Sequence, residues 1–234
     1  MILPGQIIIL LVFMLLSWIV GEQLKSRFRK YSKIPMGYGL TGKEVAEKML
    51  TDNGIYNVKV VPVKGTLTDH YNPATQTVGL SEPVYYGNHV SAAAVAAHEC
   101  GHAVQHAKAY APLKMRTALV PIQNVSAKIL NAIFMFLFIG SVFMRGFIPI
   151  DLALLILIGC YGVFTLFSLV TLPVEINASS RALTWLANSG ITNYSNHSQA
   201  KDALKWAAYT YVVAALSSLA MLVYFIFMFM NRRN

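Results

Sequence analysis

Five consecutive residues carry the types and spacing of a metal site: His98, Glu99, Cys100, Gly101 and His102. Residues four apart lie on the same face of a helix, so two imidazoles at this spacing can reach one tetrahedral zinc ion. The Glu beside the first histidine projects towards the open ligand position, where it can take a proton from the attacking water. The pattern predicts His98 and His102 as ligands of one zinc ion per chain, and Glu99 as general base.

The helix that must hold these residues is expected over Ser91–Lys108. Its many alanines let other elements approach closely, and its ionisable side chains argue against a membrane span. One alternative is a buried polar helix whose histidines bond neighbouring groups. That alternative leaves unexplained why three histidines and a carboxylate share one apolar helix.

A zinc site of this kind needs a third protein ligand, and two residues compete for the role. His106 lies eight residues after His98, about 12 Å along a straight helix, which is too far to share one ion. We interpret His106 as a histidine that lies at the surface or contacts a metal ligand without binding the metal itself. We interpret Cys100 as a small packing residue. Glu175 follows an apolar segment and Pro173 and could reach the metal. Its charge could equally serve the start of a helix, so both readings stay open.

The composition predicts a membrane protein. Of 234 residues, 56% are hydrophobic and only 12% are charged, whereas soluble domains carry about 25% charged residues. The net charge is +9, and much of it follows an apolar segment, so lipid headgroups are expected as partners and nucleic acid is not. The two cysteines, Cys100 and Cys160, do not suggest a disulfide.

Four apolar segments have the length of membrane spans. Pro121 is a candidate kink before the second, a short Arg145–Ile150 connection follows it, and Pro173 is predicted to end the third. The basic cluster Lys25–Lys33 behind the first span predicts a cytoplasmic catalytic part and an outer N-terminus. The Arg232–Arg233 pair would then lie outside, which counts against this topology. The spans are Ile2–Val20, Ile129–Met144, Leu152–Leu172 and Tyr209–Met230.

The polar part from Tyr38 to about Tyr110 reads as a small α+β region. Thr41 is a plausible N-cap with Glu44 three residues on, and Gly54 would end that helix. Two strands, Asn57–Val63 and Thr77–Leu80, are expected around a turn at Tyr71-Asn-Pro-Ala. The second is expected as an edge strand that could pair with an extended substrate. The segment Glu175–Lys205 should be largely helical.

These elements predict a mainly α membrane protein with about four transmembrane helices and a small α+β zincin-like catalytic region. The expected order is an anchor (1–21), the catalytic region with the histidine helix (22–128) and a transmembrane hairpin (129–172). A second catalytic segment with the third ligand (173–208) and a last transmembrane helix with its tail (209–234) follow.

Several short motifs together resemble the YugP-type bacterial neutral zinc metallopeptidases. They are Asp69-His-Tyr-Asn-Pro, Val78-Gly-Leu-Ser, Val84-Tyr, Ala96 to Gln105, and Leu172-Pro-Val-Glu with Ala178-Ser and Arg181-Ala-Leu. A more distant similarity is to membrane gluzincins such as the CAAX prenyl endopeptidases and the heat-shock HtpX proteases.

In those gluzincins a Glu on a later helix is the third zinc ligand, followed by Ala at +3 and Asp at +4. Glu175 and Ala178 match this pattern, whereas Ser179 stands where the Asp would be. The resemblance therefore implies Glu175 as the third ligand. It leaves Asn177 or Ser179 to orient a zinc histidine.

The combined hypothesis is a gluzincin-like zinc metalloendopeptidase in a bacterial cell membrane, with its site facing the cytoplasm. Its expected substrates are membrane-associated or misfolded proteins, and an oligomer or membrane partner stays open. One alternative is a non-catalytic assembly or scaffold protein with a structural zinc site, and another is a metal transporter. Transition-state donors cannot be chosen among four candidates, which are His70, Tyr71, Arg181 and His197.

Overall fold

The computed structural model describes residues 4–36, 39–143 and 149–232, without the side chains of 4 and 137–143. Most of the predicted Arg145–Ile150 connection and Arg233 therefore lie outside the described residues, as do the predicted span ends at Ile2 and Met144. Seven helices and three strands make up the described part. They are α1 Pro4–Tyr31, α2 Gly42–Asp52, β1 Lys59–Val63, β2 His70–Asn72, β3 Thr77–Ser81, α3 Glu82–Tyr85, α4 Val90–Ala107, α5 Ala111–Phe143, α6 Ile150–Asn188 and α7 His197–Asn231.

The chain forms two compact units, and each is assembled from separate stretches of sequence. The described residues of the first unit fall within Met1–Ile19, Met115–Leu172 and Thr210–Asn234. The second unit comprises those within Val20–Lys114 and Pro173–Tyr209.

The first unit has the properties of a membrane-embedded bundle. Helices α1, α5, α6 and α7 each contain a stretch long and apolar enough to cross a membrane. On α1, Ile8, Met14 and Trp18 are each more than 60% exposed. Contact of such apolar side chains with water is unfavourable, whereas contact with the hydrocarbon of a bilayer is not. The protein is a mainly α membrane protein, as predicted.

Two of the helices extend beyond the predicted spans. The middle stretch of the first unit ends at Leu172, next to the predicted span end at Pro173, but α6 continues through Pro173 to Asn188. A proline inside a helix costs about 3 kcal/mol. Ala178, Ala182 and Leu186 are fully buried one turn apart beyond it, and their packing favours the continued helix. Helix α7 likewise begins at His197, before the predicted span start at Tyr209.

Helix α2 confirms the predicted capping box. Thr41 accepts a hydrogen bond from the Glu44 backbone N–H, and the Glu44 carboxylate accepts one from the Thr41 N–H at 2.7 Å. Gly54 has a φ of +71° just beyond the helix, a conformation that favours glycine. The apolar face of α2, which includes Val45 and Met49, is buried in the core of the second unit.

The small sheet has the order β1-β3-β2, with β1 parallel and β2 antiparallel to β3. The prediction of Thr77–Leu80 as an edge strand was therefore wrong, because β3 is paired on both sides. Strand β2 was not foreseen, since Tyr71 and Asn72 were assigned to a turn. The turn instead begins at Pro73, and the Asn72 side chain accepts a hydrogen bond from the Ala74 N–H.

Candidate metal centre

Helix α4 carries His98, Glu99 and His102 through the core of the second unit. Its alanines, among them Ala92, Ala96 and Ala103, are buried, and their small size allows neighbouring backbones to come close. Its first turn is capped by His89, whose Nδ1 accepts a hydrogen bond from the Ala92 N–H at 3.1 Å.

Both histidines turn Nε2 towards a single carboxylate oxygen of Glu175. The distances from Glu175 Oε2 are 3.2 Å to His98 Nε2 and 3.4 Å to His102 Nε2. Candidate ligand atoms of the three residues all lie within 4.8 Å of one another. Glu175 is only 2% exposed, so its charge is withdrawn from water and needs a cationic partner.

This geometry fits a zinc ion. Nitrogen and oxygen ligands 2.0–2.2 Å from a tetrahedral zinc are about 3.3–3.6 Å apart. The two nitrogen–oxygen distances, 3.2 and 3.4 Å, are close to the edge length of such a tetrahedron. Two imidazoles and one carboxylate leave a fourth position open, as catalytic rather than structural zinc sites do.

A glycine allows the two ligand-bearing helices to meet. Gly101 lies between the histidines on α4 and faces Ala178, which follows Glu175 by three residues on α6. A Cβ added at Gly101 would stand 2.6 Å from the Ala178 carbonyl oxygen. Any other residue at position 101 would therefore push α6, and Glu175 with it, away from the histidines.

The back of His98 contacts a serine hydroxyl. His98 Nδ1 lies 3.0 Å from Ser179 Oγ, at the position where the more distant gluzincin pattern has an Asp. With Nε2 facing Glu175, the Nδ1–H can donate to the hydroxyl oxygen, which fixes the tautomer and the ring orientation.

The back of His102 contacts Gln105, a fully buried residue that sequence reasoning did not single out. The Gln105 amide nitrogen donates to the Val174 carbonyl at 2.8 Å and to Asn177 Oδ1 at 3.0 Å. Its Oε1 must therefore be the atom that lies 3.1 Å from His102 Nδ1, and it accepts the Nδ1–H. The Nε2 lone pair of His102 is thereby left facing Glu175.

Glu99 stands beside this centre as a nearly buried carboxyl group. Burial raises its pKa above the ordinary value, and the nearby His98 and His102 oppose that shift without cancelling it. The Asp69 charge also raises the Glu99 pKa. Asp69 itself accepts hydrogen bonds from the Ser81 N–H and hydroxyl and so ties the start of β2 to the end of β3.

Other residues considered from the sequence lie outside the cluster of ligand atoms. His106 is exposed and bonds the Tyr71 hydroxyl at 2.8 Å, in keeping with its interpretation as a surface histidine. Cys100 is buried, and its Sγ lies 3.5 Å from the Ala46 carbonyl, in keeping with packing.

The four candidate transition-state donors have other partners in the described part of the chain. Tyr71 bonds His106, His70 Nδ1 lies 2.9 Å from the Thr68 carbonyl, and His197 Nδ1 lies 2.9 Å from Thr192 Oγ1. Arg181 donates to Asn177 Oδ1 at 2.7 Å and thus reaches His102 only through Asn177 and Gln105.

The fold and the site together define a membrane protein with a zinc-peptidase type of metal centre. A family model described as "Putative neutral zinc metallopeptidase" matches residues 6–230. The chain belongs to this neutral zinc metallopeptidase family, as the sequence motifs predicted.

A relative from Bacillus subtilis (strain 168), described as "Putative membrane protease YugP", is 41% identical over 219 residues. The match covers 94% of each chain. No solved structure matches the chain significantly. The family and the four apolar helices assign the protein to a membrane that it crosses several times.

Proposed function

We propose that this protein is a gluzincin-like zinc metalloendopeptidase that cleaves membrane-associated or misfolded proteins at the cytoplasmic face of a bacterial membrane. The observation that carries the proposal is the convergence of His98 Nε2 and His102 Nε2 on one buried oxygen of Glu175. A zinc ion held there lowers the pKa of a water molecule and polarises the peptide carbonyl.

The protein's own residues prepare this chemistry. Ser179 and Gln105 hold the two imidazoles with Nε2 towards the metal position. Glu99 directly follows His98 on the same helix, so its carboxylate lies beside the open position of the metal. There it can accept the proton of the attacking water. The same carboxyl can return that proton to the leaving amine. The contact between Gly101 and Ala178 keeps the ligand set together.

The proposed orientation rests on charge placement along the chain. Basic residues follow the first span between Lys25 and Lys33, and such clusters remain on the cytoplasmic side. In this topology Arg232 lies on the outer side, where it pairs with Asp151 at 2.8 Å.

The deciding experiment compares Glu99→Gln with the wild-type protein in metal content and in cleavage of an unfolded model substrate. We expect about one zinc per chain in both proteins. We expect the Glu99→Gln rate to fall by roughly 10²–10⁴-fold, because the general base is lost. His98→Ala and Glu175→Ala should lose the zinc.

Other outcomes separate the alternatives. Unchanged cleavage in Glu99→Gln would overturn the assignment of the base. Zinc retained in Glu175→Ala would point to a different third ligand. A zinc-loaded wild type without activity on any membrane or unfolded substrate would favour the scaffold hypothesis.

A further inference from the structure

A groove of about 590 Å³ lies between the end of α6 and the start of α7, within the second unit. Its walls differ in chemistry. One wall carries a hydroxyl and amide stripe, Ser180, Thr184 and Asn188, and the other carries a basic stripe, His197, Lys201 and Lys205. Both stripes repeat every four residues, so each lies along one face of its helix.

The positive charge of this groove is not balanced by its own lining. Among the described lining residues there is no Asp or Glu. The acidic neighbour Asp202 is engaged elsewhere, since it accepts a hydrogen bond from the Tyr31 hydroxyl at 2.6 Å and pairs with Arg27 at 3.4 Å. Lys201 and Lys205 are both exposed. The groove is therefore suited to an anion.

Apart from Ser179, the remaining lining is apolar, so a small inorganic anion would leave much of the groove unfilled. Ile176, Leu183 and Leu204 all line it. Ile176 is 52% exposed, so its apolar side chain is accessible to a ligand in the groove. A ligand with an anionic head and an apolar tail matches both parts of the lining.

The position of the lysines on α7 favours a lipid over an acidic protein segment. Lys205 precedes Tyr209 by one helical turn, about 6 Å, and the apolar segment of α7 starts at Tyr209. The Lys205 Nζ lies 5.5 Å from the centre of the Tyr209 ring. Tyrosine and tryptophan at such a boundary, here Tyr209 and Trp206, mark the headgroup level of a bilayer.

We propose that this groove binds the headgroup of an anionic phospholipid. The phosphate lies between Lys201 and Lys205 and accepts hydrogen bonds from the hydroxyl stripe, and the start of an acyl chain covers Ile176 and Leu183. The site does not depend on the peptidase activity. It adjoins the metal centre through Ser179, which lines the groove and contacts His98 Nδ1.

The test uses the full chain in detergent, with phosphatidylglycerol or phosphatidylcholine added and retained lipid counted by native mass spectrometry. We expect tighter retention of phosphatidylglycerol. Each lysine near an anionic headgroup contributes about 1 kcal/mol, so K201Q/K205Q should weaken it about 30-fold. The matched control is K59Q/K64Q, which removes two exposed lysines of the same unit outside the groove and should change retention less than twofold.

A second variant separates the groove from simple surface charge. Ala187→Trp fills the groove and keeps both lysines, and we expect it to lose retention as well. Thermal unfolding followed by circular dichroism reports that each variant is folded. Equal loss in K59Q/K64Q, or no loss in K201Q/K205Q, would overturn the proposal. Displacement of the lipid by inorganic phosphate alone would show that the groove binds free anions rather than a lipid. Tighter binding of an acidic peptide would show that the groove binds a protein segment.

Discussion

At the residue scale, both histidines of the metal centre are oriented through Nδ1 by neutral side chains. Ser179 contacts His98 and Gln105 contacts His102, whereas zinc histidines often donate to a carboxylate. A carboxylate partner makes an imidazole a stronger ligand. The neutral partners leave Glu175 as the negative charge among the three ligands, which keeps the proposed zinc centre electron-poor and its polarising power high.

Replacing the partner of His98 should change metal affinity in both directions. Ser179→Ala removes the acceptor of the Nδ1–H and should weaken zinc binding by about 10-fold or more, the lower end of what such partners contribute. Ser179→Asp supplies a charged acceptor and should strengthen binding. Competition with a chelator measures both. Ser180→Ala, one residue away, is the control, and an equal loss there would contradict the assignment.

Gln105→Leu should affect the metal centre more widely. It removes the acceptor for His102 and leaves the Val174 carbonyl and Asn177 without this donor in a buried place, so zinc affinity should fall about 10–100-fold. His106→Ala, on the same helix but exposed, should keep its zinc. Equal affinities of Gln105→Leu and wild type would show that the contact does not orient His102.

The candidate ligand residues are easier to find from the sequence than these contacts. The i, i+4 spacing points to His98 and His102, and the resemblance points to Glu175. Gln105 was missed, although its i+3 spacing from His102 places it on the same helix face. Choosing between Asn177 and Ser179 needed the structure, because the rotation of α6 about its axis decides which side chain reaches His98.

At the element scale, the close approach of α4 and α6 is the feature most sensitive to a single methyl group. Gly101→Ala places a Cβ against the Ala178 backbone, which cannot rotate away. We expect a loss of about 1–3 kcal/mol in stability together with loss of zinc. Gly162→Ala is the control, because a Cβ there meets nothing within 4 Å. Zinc content near one per chain in Gly101→Ala would refute this packing account.

The N-cap of α4 should make stability depend on pH. Burial lowers the pKa of His89, opposed by the Pro83 carbonyl, and only the neutral ring can accept from the Ala92 N–H. A depressed histidine pKa stabilises the fold above the unfolded value of about 6.5, and this stability is lost as pH falls below it. Such a cap contributes about 1 kcal/mol.

Thermal unfolding of metal-free protein across pH 5–8 tests the cap. His89→Asn supplies a cap that does not titrate, so its unfolding temperature should fall less on acidification than that of wild type. Parallel curves for the two proteins would show that His89 is not the responsible group.

Element boundaries were predictable only where the signal is local. The capping box at Thr41 and the spacing of the α4 alanines are short-range signals, and both helices are found near their predicted places. The unbroken course of α6 through Pro173 was not predictable, because the local cost of the proline is outweighed by the packing of Ala182 and Leu186 in the core. The central position of β3 depends on β2 and β1 pairing from either side, which no short segment encodes.

At the scale of the whole molecule, the proposed orientation can be tested by labelling intact cells. Tyr194, between α6 and α7, is fully exposed, and Tyr194→Cys should react with a membrane-impermeant maleimide only after permeabilisation. Asn231→Cys, on the other side in this topology, should react without it. The native Cys100 and Cys160 are buried and add little background. The reverse pattern would invert the topology.

Composition and apolar length predicted the membrane class and the four spans, since both are properties of segments. The division into two units, each drawn from distant stretches, could not be foreseen in the same way. It depends on which helices continue from one unit into the next, as α6 does beyond Pro173.

The separation of the ligands along the chain has a consequence for biogenesis. Glu175 follows His98 by 77 residues, and a ribosome adds about 5–20 residues per second. For about 4–15 seconds the nascent chain therefore contains the two histidines without the proposed third ligand. During that interval two further membrane segments are made. Under the proposed function, the metal centre is complete only after the third apolar segment has been made, so the nascent chain has no peptidase activity before then.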